Sequence, residues 1–564
     1  LHSTSRRQRQ MCIRDSQYYA QRYSMTDDFP FAEINVFQLG LYAQDKWTVS
    51  DKLNLTLGLR IDVPFFMTDL QSNDKVAAET YRDGIKIDVS KYPNAKPQFS
   101  PRFGFNYKPF DDENGSLQIR GGTGLFTGTP PYVWISNQAG NNGVLFGDLN
   151  VRAVKDKNDN IISDGRPSLG FTGNMDTYKP AEGSATRSDI AITDPDFKYP
   201  SLWKSNIAAD YKFGDGWVAT IELLYSKDIN AIYHDNIGLY RTEQFVNDGG
   251  AGNARPYYNG YYSDREGNQK AANHVVMLRN TSKGHSLYTT FQLQKNFVDG
   301  ILKGLYLNGS YSFGQSRGVT DGTSSVATSA WKYRAALDGN AEEVGYTAGS
   351  FDGRLLLSAS YTANWSKYAA TSFGLIYQRY RPFRYSYCYN GDANGDSQFS
   401  NDLMYIPANF DEVKDHLLPG DFDSQEDAWK AMNAFIEQDP YLSKHRGEYA
   451  ERNGAVAPFA NQLDLSVSHD IKIYQKNGRS HTLRFSFNIA NFLNLLNRNW
   501  GVVQTTVLGN QQYQFLTIPK GQGPSAANNY TLKYTMAKDL DETFKDNLND
   551  VSRWQMQFGI KYIF

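Results

Sequence analysis

The chain has 564 residues and a net charge of -2, with Tyr 38, Phe 33 and Trp 9 but Cys 2. Acidic and basic residues nearly balance, so there is no basic excess of the kind that nucleic-acid binding needs. A mean hydropathy of -0.57 and the lack of any apolar run long enough for a membrane helix exclude a helical membrane protein. A transmembrane β-barrel fits, because its strands alternate lipid-facing apolar and lumen-facing polar residues and so stay polar on average.

The first sixteen residues, LHSTSRRQRQMCIRDS, lack apolar periodicity and look like translated adapter sequence. They are set aside as a non-native scar. Residues 17–564 are then the folded chain, Cys388 is its cysteine, and a secretion signal is expected upstream.

Strands begin in FQLGLYAQDKWTVSDKLNLTLGLRIDV. Phe37, Leu39, Leu41 and Ala43 alternate with Gln38, Gly40, Tyr42 and Gln44. Beyond the short connection Thr48 to Lys52, Leu53, Leu55, Leu57, Leu59 and Ile61 share one face. Strict period two of this kind predicts a hairpin whose faces meet different solvents.

The pattern recurs along the chain. Arg102–Lys108 and Ser116–Phe126 flank DDENG, and Trp203–Phe213 and Trp217–Tyr225 flank Gly214, Asp215 and Gly216. Leu287–Phe297 pairs with Gly304–Phe313, and Arg354–Trp365 with Thr371–Tyr380. Gln462–Ile473 and Thr482–Phe492 flank Asn477-Gly478, a favoured hairpin dipeptide. Between hairpins lie the long polar stretches Pro64–Ser100, Thr127–Ser201, Gln315–Asp352 and Arg381–Asn461.

Short turns thus alternate with long loops, as in an outer-membrane barrel with short periplasmic turns and long external loops. The expected fold is an all-β transmembrane antiparallel barrel. Roughly 14 to 17 strands are readable, against about 22 in the plugged transporter class, so either the missing strands lie upstream, as the adapter-like start favours, or the count is low. The ending RWQMQFGIKYIF alternates Met556, Phe558, Ile560, Tyr562 and Phe564. It resembles an outer-membrane assembly signal, carried by Gly559, Tyr562 and Phe564.

LYAQDKWTVSDKLNLTLGLRID, PRFGFNYKP, RGGTGLFTGTPPYVWISNQAGNNG and FSFNIANFLNLLNRNWG resemble the barrel of a TonB-dependent outer-membrane receptor. They are most similar to the Oar-like branch of Bacteroidetes, whose members begin with a carboxypeptidase-regulatory-like domain and a plug. YCYNGDANGDSQFSNDLMYIP and the run Arg446 to Gly454 fit the same branch.

The resemblance implies uptake of a large or scarce solute (an oligosaccharide, peptide or metal chelate), energised by TonB, ExbB and ExbD through a plug that this chain lacks. It also implies contact with outer-membrane lipid and the barrel-assembly machinery. A lipoprotein lid is expected only by analogy with SusC-like importers. A passive outer-membrane pore or surface adhesin is the alternative function.

Asp392, Asn394, Asp396, Gln398 and Asp402 place oxygen-bearing side chains at near-alternate positions, as in a calcium loop. Ser397 stands where such loops want Gly, and the closing carboxylate comes one residue early. An Asx-turn loop without an ion is the other reading. No other cofactor is required.

Gly314-Gln-Ser316-Arg-Gly318 matches G-x-S-x-G, but no helical pattern follows it, so no catalytic residue is assigned and an enzyme is not expected. The eight His residues show no zinc spacing. Gly121, Gly122 and Gly124 lie in a strand pattern and are expected to shape the wall.

Ser424 to Asp427 resembles a capping box before a helix carrying Ala428, Trp429, Met432, Phe435 and Ile436, which ends ahead of Pro440. Trp134, Tyr385 and Tyr387 are candidate ligand contacts, while aromatic residues at strand ends fit an interfacial girdle.

Overall fold

The computed structural model describes residues 18–25, 31–113, 115–152, 154–155, 161–162, 174, 187–246, 255–474, 480–508, 512–524, 530–536 and 542–564. The first sixteen residues, expected to be a non-native scar, lie outside the described residues.

One 14-stranded antiparallel sheet dominates the molecule. Thirteen of its strands are long and follow sequence order without a crossover. They are β1 Val36–Ser50, β2 Leu53–Phe66, β3 Gln98–Asp112, β4 Gly115–Thr127, β5 Ser201–Phe213, β6 Trp217–Asp228 and β7 His285–Asn296. β8 Leu305–Gly318, β9 Arg354–Ser366, β10 Ala369–Tyr380, β11 Ala460–Tyr474, β12 Ser480–Ala490 and β13 Gln555–Ile563 complete the row. The remaining member, Gly345–Tyr346, pairs only with the end of β8. All six expected hairpins form. Among the described residues the 14-stranded sheet meets the lower end of the expected count, and the loop segments build separate small sheets that do not join the wall.

The faces of the wall follow the period-two pattern. Outward, Leu57 lies opposite Phe103, Phe291 opposite Tyr311, and Phe487 opposite Phe558. These rings and aliphatic chains stay exposed in the isolated chain, as Trp47 at 57% and Phe558 at 66% illustrate. Their solvent is hydrocarbon, and they stand as cross-strand neighbours that pack against one another.

Inward, Arg60 donates to Asp62 at 2.7 and 2.8 Å, Arg120 to Asp210 at 2.9 Å, and Arg484 to Asp470 at 2.6 and 2.7 Å. Thr290 meets Ser312 at 2.8 Å, and Gln292 donates to Asn308 at 2.7 Å. Charges on that face pair with each other in a watery lumen, where each pair adds little stability.

Glycine shapes the wall at one crowded place. A Cβ at Gly121 would sit 2.7 Å from the Asn206 carbonyl and 2.8 Å from the Phe105 ring. Phe105 therefore folds over a bare backbone, a covering role that aromatic residues play beside strand glycines.

Among the described residues, β1 and β13 each pair on one side only. Every residue of β1 after Val36 is exposed on whichever face it occupies, and β13 is nearly the same.

At the end of the wall where the long connections emerge, they fold into a cap. Ser188–Thr193, Ala231–Asn236 and Ala272–Thr281 make one small sheet, and Arg384–Tyr387, Ala455–Val456 and Gln512–Tyr513 make another. The largest buried apolar cluster of the described residues lies here and not in the wall.

Candidate functional site

The cap is built around aromatic residues that the sequence places far apart. Tyr385 and Tyr387 sit in its core at 1% and 0% exposure, against Tyr513, Phe515 and Phe435. Burying a phenol demands a partner for its hydroxyl. Tyr387 donates to Asp439 at 2.6 Å, where Thr543 Oγ1 also donates at 2.7 Å and the Tyr441 and Leu442 amides at 2.9 and 2.8 Å. The sequence reading offered both tyrosines as ligand contacts, but in this structure they present no surface to a solute.

Trp134, the third candidate, is half-buried on the helix α1 Tyr132–Gly140. Its indole donates to the Ser324 carbonyl at 2.8 Å, and its ring meets His234 edge-on at 5.7 Å. It therefore ties two loops together.

α2, Gln425–Gln438, forms where the capping signal placed it. Ser424 Oγ accepts the Asp427 amide at 3.1 Å and donates to the Asp427 carboxylate at 2.8 Å. Ala428, Met432, Phe435 and Ile436 are buried along one stripe against the Tyr387–Tyr513 cluster. The helix is therefore a packing element of the cap.

The acidic loop from Asp392 to Asp402 is the most charged part of this interior. Asp392 accepts the Gly395 and Ser397 amides at 2.6 and 2.8 Å, Asn394 Oδ1 accepts Asp396 N–H at 2.9 Å, and Asp396 Oδ1 accepts Gln398 N–H at 2.8 Å. Asn394, Asp396, Asn401 and Asp402 are buried at 1%, 1%, 2% and 0% exposure, and Gln398 borders on burial. Asp402 is paired with Arg255 at 3.1 Å, with neither side chain exposed, and its other oxygen accepts the Ala393 amide at 2.8 Å.

Burial and the neighbouring Asp392 push the Asp396 carboxyl up to about 7. Burial raises Asp402 well above the carboxylate range, against the opposing pull of Arg255. Asn401 Oδ1 is buried without a hydrogen-bond partner. Among the described residues, no three His, Cys, Asp or Glu side chains gather closely enough to hold a metal between them.

Sequence reasoning missed the buried arginines that tie the cap together and hold it to the wall. Arg255 pairs with Asp402 and also donates to the Leu403 carbonyl. Arg334 donates to the Val319 carbonyl at 3.2 Å, and Arg452 to the carbonyls of Gly318, Val319 and Gly345 at the end of β8. Arg452 lies in the Arg446 to Gly454 run, which had drawn notice only as a resemblance. Nothing local marks an arginine that will be buried against carbonyls from a distant segment.

Ser316 of the G-x-S-x-G match lies within β8 opposite Ser286, its amide donating to Ser350 Oγ at 2.9 Å. It occupies no strand-to-helix turn. In β13, Gly559 lies opposite Ser486, and a Cβ there would come 2.7 Å from Ser486 Oγ. Tyr562 stacks on Phe564 at 5.8 Å, and Phe564 is 90% exposed.

A wall with an apolar outer face, an ion-paired inner face and long connections folded at one end defines an integral β-barrel protein of the bacterial outer membrane. A family profile described as outer membrane beta barrel domain matches residues 19–525. The chain belongs to that family, and its long loops are the external ones. No curated protein matches the sequence.

Solved structures similar to it include a variant of the ferric enterobactin receptor PfeA from Pseudomonas aeruginosa, at 10% identity and TM-score 0.39, covering 97% of this chain and 50% of that one. The siderophore receptor PirA from Acinetobacter baumannii matches at 8% identity and TM-score 0.39, covering 85% and 47%. The copper transporter OprC matches at 10% identity and TM-score 0.37, covering 84% and 48%. The chain spans about half the length of these structures. Similarity this low says nothing about what the present chain carries.

Proposed function

We propose that this chain forms the greater part of the wall and the external cap of a TonB-energised receptor, of the Oar-like kind, which imports a large or scarce solute such as an oligosaccharide, a peptide or a metal chelate. One observation carries the reading. The wall already holds thirteen long strands, yet among the described residues β1 and β13 keep unpaired edges. Unpaired backbone groups in hydrocarbon cost several kcal/mol each, so further strands must complete the ring. Side chains fill a barrel of about eight strands, whereas one well beyond thirteen has a lumen that needs a plug if it is not to leak.

The sequence stretches that resemble TonB-dependent receptors support the same reading, and TonB, ExbB and ExbD would act through the plug. No catalytic group enters it. The exposed end of β13, with Gly559, Tyr562 and Phe564, serves as the signal read by the barrel-assembly machinery.

The test is electrical. The complete protein is reconstituted in a planar bilayer, and ion conductance is recorded with and without urea, which loosens a plug. A sealed resting state that opens in urea is expected. Steady conductance without urea would replace the receptor with a passive pore. A sealed protein whose gene supports growth on oligosaccharides equally well with and without TonB would replace it with an adhesin or an unenergised channel.

A further inference from the structure

We propose that the loop Asp392–Asp402 binds one calcium ion, which fastens the core of the cap to the Arg255–Tyr261 segment. This inference is independent of how transport is powered. Asp402 does not bring a free charge to the loop, because it is paired with the buried Arg255. Two carboxylates remain, Asp392 and Asp396, and no cation is ion-paired with either among the described residues. A buried Asp396 carboxylate beside the half-buried Asp392 is costly unless a counter-charge is taken in. One divalent cation balances the pair.

The second observation is an amide. The Asn401 side chain lies next to the Asp396 carboxylate. Its oxygen is buried with no partner. A buried, unpaired carbonyl oxygen on a side chain next to the Asp396 carboxylate is a ready donor for a hard cation. The donor set is then the carboxylates of Asp392 and Asp396 with amide oxygens from Asn394, Asn401 and the Gln398 position. Asp402 holds the loop in place through Arg255.

Mixed carboxylate and neutral oxygen donors on an irregular loop suit calcium, which accepts six to eight oxygens in flexible geometry. Magnesium demands a near-ideal octahedron and keeps its waters. The mechanical consequence follows from the neighbours. Tyr258 N–H donates to the Asn394 carbonyl at 2.8 Å, and the Tyr257 ring lies against Gly395. An ion that stiffens this loop also fixes that segment.

Those tyrosines supply the readout. The full chain in detergent, stripped with chelator, is titrated with terbium while tyrosine is excited. Saturable sensitised emission at one ion per chain is expected, displaced by calcium but not by equimolar magnesium. Asp396→Asn should weaken binding about 10- to 100-fold or more, as the loss of a metal partner does. Asp411→Asn, an exposed acid outside the loop, should leave binding unchanged.

Emission that ignores Asp396→Asn overturns the proposal, as does equal displacement by magnesium. Should the variant fail to fold, calorimetry on the stripped wild-type chain decides. A calcium heat with a stoichiometry near one supports the site, and no heat up to millimolar calcium removes it.

Discussion

In the wall, Leu57 and Phe103 meet across β2 and β3 on the lipid side while Arg60 and Asp62 meet on the lumen side. In the cap, Tyr387, Tyr513, Phe435 and Phe515 converge from segments far apart in the chain and exclude solvent from every side. The wall is held by backbone ladders between neighbours, and its side chains mainly match their solvents. The cap is a small globular core, in which each aromatic ring is fixed by packing. The same composition therefore serves two physics, and a substitution should be felt differently in each.

The comparison can be broken or sharpened by experiment. Phe435→Ala removes a ring from the centre of the cap and should cost about 3–5 kcal/mol of local stability. Limited proteolysis of the external loops would then speed up, while the wall keeps its heat-resistant mobility on gels. Simultaneous loss of both would show that cap and wall are one cooperative unit. Leu375→Arg, near the middle of β10 and facing lipid, should cost about 2–4 kcal/mol in urea unfolding from liposomes. An equal cost for Thr290→Arg on the lumen face would refute the assignment of faces.

His234 provides a pH-dependent contrast. Burial, with Arg334 nearby, lowers its pKa from 6.5 to about 4. The folded cap thus keeps it neutral while the unfolded chain takes up a proton, so its contribution to stability falls as pH drops from 6.5 towards 4. The slope is at most about 1.4 kcal/mol per pH unit. Asp396 and Glu343 are shifted upward and act in the opposite sense, so the difference between wild type and His234→Gln isolates the histidine. A difference that stays flat over that range would mean that the ring is hydrated.

Much of the wall was legible in the sequence. Alternation such as Leu53 to Ile61 needs only two solvents and a period of two, and both are local properties. The capped helix was legible for the same reason, since Ser424 and Asp427 are near neighbours. The cap was not. Tyr385 and Tyr387 read as ligand contacts because an aromatic and basic loop looks the same whether it faces a solute or a core. Only the arrival of Asp439, Tyr513 and Phe515 decides the matter. The acidic loop was legible as a run of oxygen-bearing side chains, but Arg255, which pairs with Asp402, was invisible.

The distances along the chain that separate partners also set an order of events. In the wall, Thr48 and Asn54 are 6 residues apart and Thr362 and Ser372 are 10 apart, so each hairpin can close by itself. Trp134 must wait for Ser324, 190 residues on, and Arg255 for Asp402, 147 residues on. Closing such spans in a free chain is entropically slow, and the inserted wall shortens them by bringing the loop bases together. Assembly therefore runs from membrane to surface. The barrel zips first, hairpin by hairpin, and the external face matures last.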